Sequence, residues 1–175
     1  MVEINSIRER IWNDYSKASF QQIALELSKD DRAFNEFLHL LQDTEKTVIN
    51  RAAWILSFIF EINKSYIMDA LPQLVKLIQE TNATIALKRN ILRILQFVNI
   101  PESLHDAVMQ VSFDHLENRQ MAVAVRCSSM TVLANLAKYY PEIKQEITAI
   151  LHTDLHYGTS AGFRSRAKRI LNELS

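Results

Sequence analysis

Four stretches of this chain open alike: an apolar residue, a variable or basic one beside it, and small or apolar residues four and eight places on. They are Val48, Ile49, Ala52, Leu56; Leu87, Lys88, Ile91, Leu95; Val125, Arg126, Ser129, Leu133; and Phe163, Arg164, Ala167, Leu171. Val48 and Leu87 are 39 residues apart, and the next two steps, to Val125 and to Phe163, are 38 each. A step this constant, longer than one helix and shorter than a domain, marks a repeat architecture in which each unit buries its apolar face against its neighbours.

The plus-four and plus-eight spacing belongs to helices. Leu87, Ile91, Ile94, Leu95 and Val98 form one face, with Arg89, Arg93 and Gln96 opposite. Strand chemistry is starved, because the 175 residues contain only two glycines, Gly158 and Gly162, and three prolines, Pro72, Pro101 and Pro141, too few for hairpin turns. The same period read along the chain predicts helices near 3–15, 18–28, 31–42, 46–61, 66–80, 84–99, 102–117, 119–138, 141–152 and 161–174. Pro101 and Pro141 fit first helical turns, where the missing N–H costs nothing.

Ala70-Leu71-Pro72-Gln73-Leu74-Val75-Lys76-Leu77-Ile78 resembles the proline-led second helix of a HEAT repeat, and Asp43 to Leu56 resembles the acidic turn and opening of the next first helix. Asn82, Gln120 and Gly158 stand at the place of Asp43 in the later turns, which leaves the family's Asp–Arg ladder without its acid there. The resemblance implies an all-α fold, a right-handed α-α superhelix or solenoid of stacked antiparallel helix pairs, about ten helices in all. One domain over 1–175 is expected, with repeats over 43–175 and an atypical amino-terminal cap over 1–42.

Composition narrows the chemistry. Lys plus Arg and Asp plus Glu number 20 each, so no global charge draws the chain to nucleic acid or anionic membrane. Cys127 is the sole cysteine, which excludes an internal disulfide and suits a reducing cytoplasm. Met1 to Arg10 lacks the apolar run of a signal peptide, and no stretch is long enough to span a bilayer; a cytoplasmic protein is expected. A glycine-rich phosphate loop and a nucleophile elbow both need glycines this chain lacks. His152 and His156 flank Asp154 at a spacing that could face a metal, but no third ligand is near, and the stretch reads as a polar helix end. No enzyme activity, metal or cofactor is expected.

Binding surfaces remain. Positions two, six and nine after each opening turn away from the core, which places Trp54, in register with Arg93, Thr131 and Arg169, on a nominally polar stripe. It is a candidate anchor unless the amino-terminal helices fold over it. First helices carry the basic residues and second helices the acids Asp69, Glu80, Asp106, Asp114, Glu117, Glu142 and Glu146. In solenoids of this kind the second helices line the concave face, so a protein or peptide partner, neutral or basic, is expected there, at Asp69, Gln73, Lys76, Asp106, Gln110, Asp114 and Gln145. The alternative is a nucleic-acid module resembling the HEAT-like alkylpurine DNA glycosylases, using the one dense basic patch, Arg164, Arg166, Lys168 and Arg169. The protein is expected as a monomer, or as a homodimer through Leu171 and Leu174 of the last helix.

Overall fold

The computed structural model describes residues 4–175, leaving Met1, Val2 and Glu3, with the expected helix start at residue 3, outside the described residues. The described residues form ten α-helices and no strand: α1 (Ile4–Asn13), α2 (Lys17–Leu27), α3 (Asp31–Leu38), α4 (Lys46–Ile62), α5 (Lys64–Gln79), α6 (Ile85–Leu95), α7 (His105–Glu117), α8 (Val123–Leu136), α9 (Lys144–Tyr157) and α10 (Ala161–Leu174). The fold is all-α. No helix of the described residues is long and apolar enough to cross a membrane.

Local chemistry explains the boundaries. Side-chain oxygens of Ser16, Asp30, Asn63 and Ser160 accept the first free N–H groups of α2, α3, α5 and α10, supplying partners the helix itself cannot. Pro101 and Pro141 each lead into a single 3-10 turn, at Glu102–Leu104 and Pro141–Ile143, that runs on into α7 and α9. Pro72 lies inside α5, eight residues past its start at Lys64, in agreement with the helix expected near 66–80. The helix expected from 119 begins only at Val123, because Asn118 takes the Gln120 N–H at 2.9 Å and its carbonyl takes that of Met121, also at 2.9 Å. The ninth helix runs past residue 152 to Tyr157, where Gly158 ends it at φ +89°, a backbone conformation that favours glycine.

The helices gather into two compact units, Met1–Ile94 and Leu95–Ser175. In the first, α2 packs on α4, while α1 reaches α3 and α4. Phe20, Ile23, Leu27, Phe37, Ile55, Leu56, Ile59, Leu71 and Leu74 are fully buried. In the second, α8 is central, packed by α7, α9 and α10, over a core that includes Leu116, Met130, Leu133, Ile147, Leu151, Phe163, Ala167 and Ile170. The repeat register holds in both units: Val48, Leu87, Val125 and Phe163 are buried, as are Ala52, Ile91, Ser129 and Ala167 four places on. Ser129 Oγ has no hydrogen-bond partner among the described residues, so it serves there by its size.

Candidate interaction surfaces

The polar side chains sort into those spent on holding helices together and those left to solvent. Arg126, on the first turn of α8, is buried. Its Nε and Nη2 donate to the Leu116 carbonyl at 2.9 and 2.6 Å, Nη2 also pairs with the buried Asp154 of α9, and its guanidinium lies 4.6 Å over the Phe163 ring. Asp154 takes a second cation, Arg119 Nε, at 3.1 Å. This carboxylate thus faces inward, while His152 and His156 on either side of it are exposed. Among the described residues no group of three metal-ligating side chains is gathered.

Unit 1 holds its helices differently. Arg51 of α4 donates from Nη1 to the carbonyls of Ile11 and Trp12 at the end of α1, at 2.8 and 2.7 Å, and lies 4.8 Å over Tyr15. Arg8 pairs with Asp43 at 2.7 Å and Arg10 with Glu26 at 2.6 Å. The hydrogen bonds from Arg8 and Arg10 hold the Asp43 and Glu26 carboxyls below the ordinary carboxylate range, against the opposing effect of their partial burial. Asp43, expected to serve an acidic repeat turn, therefore caps the Glu45 N–H and reaches back to α1.

Trp54 is half-buried. Phe20 of α2 meets it edge-on at 5.4 Å, with Tyr15 at 5.8 Å and Phe58 at 5.7 Å, so the amino-terminal helices supply the aromatic neighbours that cover much of its ring.

The four cations of α10 are not alike. Arg166 is half-buried and donates to Gln96 Oε1 at 3.1 Å and Thr131 Oγ1 at 2.9 Å; Arg169 pairs with Glu173 at 2.9 Å. Arg164 and Lys168 are exposed, one turn apart. Leu171 and Leu174 are half-buried and pack against the unit 2 core. Lys168 and His152 border a shallow cleft of about 520 Å³ between α9 and α10.

The residues expected on the partner face stay largely in solvent. Asp69 and Lys76 of α5, Asp106, Gln110 and Asp114 of α7, and Gln145 of α9 are exposed, and Gln73 is half-buried. On α7 the spacing of four makes Asp106, Gln110 and Asp114 one stripe, with Gln110 Nε2 donating to Asp114 at 2.9 Å. Partial burial and the carboxylates of Glu102, Asp106 and Glu142 push up the Tyr140 phenol. Acids from α7 and from the turn before α9 therefore act on the same place. Tyr140 in turn orients the buried His105: Nε2–H donates to the Ile100 carbonyl at 2.8 Å, leaving Nδ1 to accept from the Tyr140 hydroxyl at 3.0 Å.

Asp69 and Gln73 also line a cleft of about 510 Å³ in unit 1, closed on its other side by Asp31, Phe34 and Asn35 of α3. The α3 residues fall in the stretch read from sequence as a cap. A signal for them was present: Asp31 and Asn35, four apart, precede Asp69 and Gln73 by 38 residues, the repeat step itself, and Asp106 and Gln110 follow after 37 more. The apolar period runs through the openings of first helices, and this polar recurrence lies on the second.

A family model described as HEAT repeat domain matches residues 7–174, reaching well ahead of residue 43, where the sequence period begins. No curated protein and no solved structure matches the chain.

Proposed function

The chain belongs to the HEAT repeat family, and from that premise we propose that it is a non-catalytic scaffold that receives a segment of a partner protein on its second-type helices. One observation carries the reading: the acids and amides of α5 and α7 are exposed, while buried polar groups such as Arg126, Asp154 and His105 are already satisfied by one another and by backbone carbonyls. What remains outward is an acidic, hydrogen-bonding surface on the helices that line the concave face in such repeats. It favours a neutral or basic partner segment and repels a phosphate backbone.

A nucleic-acid role fits less well. Arg166 is engaged by Gln96 and Thr131, Arg169 by Glu173 and Arg164 by the Thr159 carbonyl, so among the described residues few cations of the α10 patch are left for phosphates, and neutralising so few gives a shallow salt dependence.

The test is capture from native lysate by the wild-type protein and by a variant carrying Asp69→Lys, Asp106→Lys and Asp114→Lys. One protein retained by the wild type and lost with the variant supports the scaffold. Nuclease-sensitive nucleic acid, or capture indifferent to the reversals, refutes this surface.

A further inference from the structure

The α3–α5 cleft of unit 1 differs from the rest of the acidic surface in being a cavity with an aromatic wall. Tyr66 stacks on Phe34 with ring centroids 5.0 Å apart and planes 23° from parallel. Phe34 is buried and Tyr66 half-buried, so Tyr66 is the ring offered to solvent. The neighbouring Asp31 carboxylate raises the pKa of its phenol, as does partial burial. Asp31 and Asp69 stand on the two helices that border the cavity, each with an amide four residues on, Asn35 and Gln73. Among the described residues no cation lines the cleft, and neither Asp31 nor Asp69 has an ion-pair partner.

A site with two unneutralised carboxylates, flanking amides and a half-buried aromatic ring selects a particular ligand chemistry. Anions are repelled by both carboxylates. An aliphatic side chain would bury the carboxylates without pairing them, which costs free energy. An ammonium would satisfy the charge as a point only. A guanidinium is planar, donates through five N–H groups in a fixed fork, and stacks on an aromatic ring while bonding a carboxylate at its edge. The volume of about 510 Å³ lies within the usual range of small-ligand pockets, enough for a long side chain with adjoining main chain.

We propose that the α3–α5 cleft seats an arginine side chain of a protein partner, its guanidinium held between Asp31 and Asp69 and laid against Tyr66. This rests on the scaffold reading and gives the partner segment its chemistry. The 38-residue recurrence of the acid–amide pair from α3 to α5 means that the cleft is built twice from the same device, one copy on each wall.

The experiment follows backbone amide shifts of the full, isotope-labelled chain as a capped pentapeptide of four alanines around a central arginine is added. The same peptide with citrulline, which keeps the shape and loses the charge, is the control. Saturable shifts confined to α3 and α5 are expected, weakened about tenfold for the citrulline peptide and about as much for Asp31→Asn with Asp69→Asn. Tyr66→Leu should also weaken binding while leaving both carboxylates in place, and unchanged thermal midpoints would show that both variants fold. Equal shifts with citrulline, shifts mapping to α7 instead, or no response at millimolar peptide would overturn the assignment. Because the lysate test reverses Asp106 and Asp114 of α7 as well as Asp69, a partner retained by wild type and lost with that variant while the peptide leaves α3 and α5 unmoved refutes the cleft alone. Loss of both refutes the scaffold as well.

Discussion

Arg51 in unit 1 and Arg126 in unit 2 do the same mechanical job in different surroundings. Each stands near the start of a first-type helix and donates to carbonyls at the end of an earlier one, Arg51 to Ile11 and Trp12, Arg126 to Leu116. Those carbonyls have no intrahelical donor, so a basic side chain there completes the earlier helix. Arg51 is half-exposed, and among the described residues no carboxylate pairs with it. Arg126 is buried, and a buried guanidinium needs a counter-charge, which Asp154 provides. The lesson concerns position: one hydrogen bond is cheap at a surface, but moved inside it brings a second charged residue with it. In this chain that residue comes from α9, 28 positions away.

The comparison breaks most sharply at Asp154. Asp154→Ala strands Arg126 in the core and is expected to cost about 3 to 5 kcal/mol, measured by urea unfolding. Arg126→Met with Asp154→Leu should recover most of the loss, since removing both charges removes the reason for pairing them. If the single change costs no more than a surface substitution, Arg126 is not confined as described.

Next in size is a pair of changes at matched register positions, Leu56→Ala in unit 1 and Leu133→Ala in unit 2, both fully buried. Each is expected to lower stability by about 2 to 5 kcal/mol. Similar losses would show that the apolar cores are equivalent and that the units differ in polar contacts alone; a loss near zero at either site would contradict its burial.

The smallest effect belongs to the surface pairs of unit 1. Folding lowers the pKa of Asp43 and Glu26 through their arginine hydrogen bonds. The unfolded chain therefore binds protons at a higher pH than the folded one, and the stabilisation is complete above about pH 4 to 5 and lost as pH falls through the folded values. Stability measured from pH 6 to 3 should fall less steeply in Asp43→Asn with Glu26→Gln than in wild type. Parallel curves would mean that these ion pairs do not persist in solution.

Much of the fold was legible because it rests on apolar spacing. Val48, Leu87, Val125 and Phe163 occupy equivalent buried positions, and a period of burial is visible in a one-dimensional string. Polar roles were harder to read because they depend on which way a side chain turns. Asp154 read as a spacer between two histidines; its partner is decided by how α9 lies on α8. Arg166 read as part of a basic patch, but a helix turns 100° per residue, and that turn sends it toward Thr131 while Lys168 faces solvent. Trp54 fell on the polar stripe of the register, and only packing by Phe20 and Tyr15 fixes its exposure. The α3 wall of the cleft carries a different signal: the apolar period marks the openings of first helices, and the second helices repeat their polar residues instead.

The contact at Arg126 also bears on how the carboxyl-terminal unit can be divided. Stacked repeats are often treated as a row of beads, each coupled to its neighbours and removable from the end. Here one guanidinium touches the last turn of α7, belongs to α8 and depends on a carboxylate of α9. A chain cut after α8 would lose α9 together with the counter-ion of a charge in its own interior. Modularity in this half of the molecule therefore comes in blocks of at least three helices, and shortening or splicing it should respect that block rather than the 38-residue step.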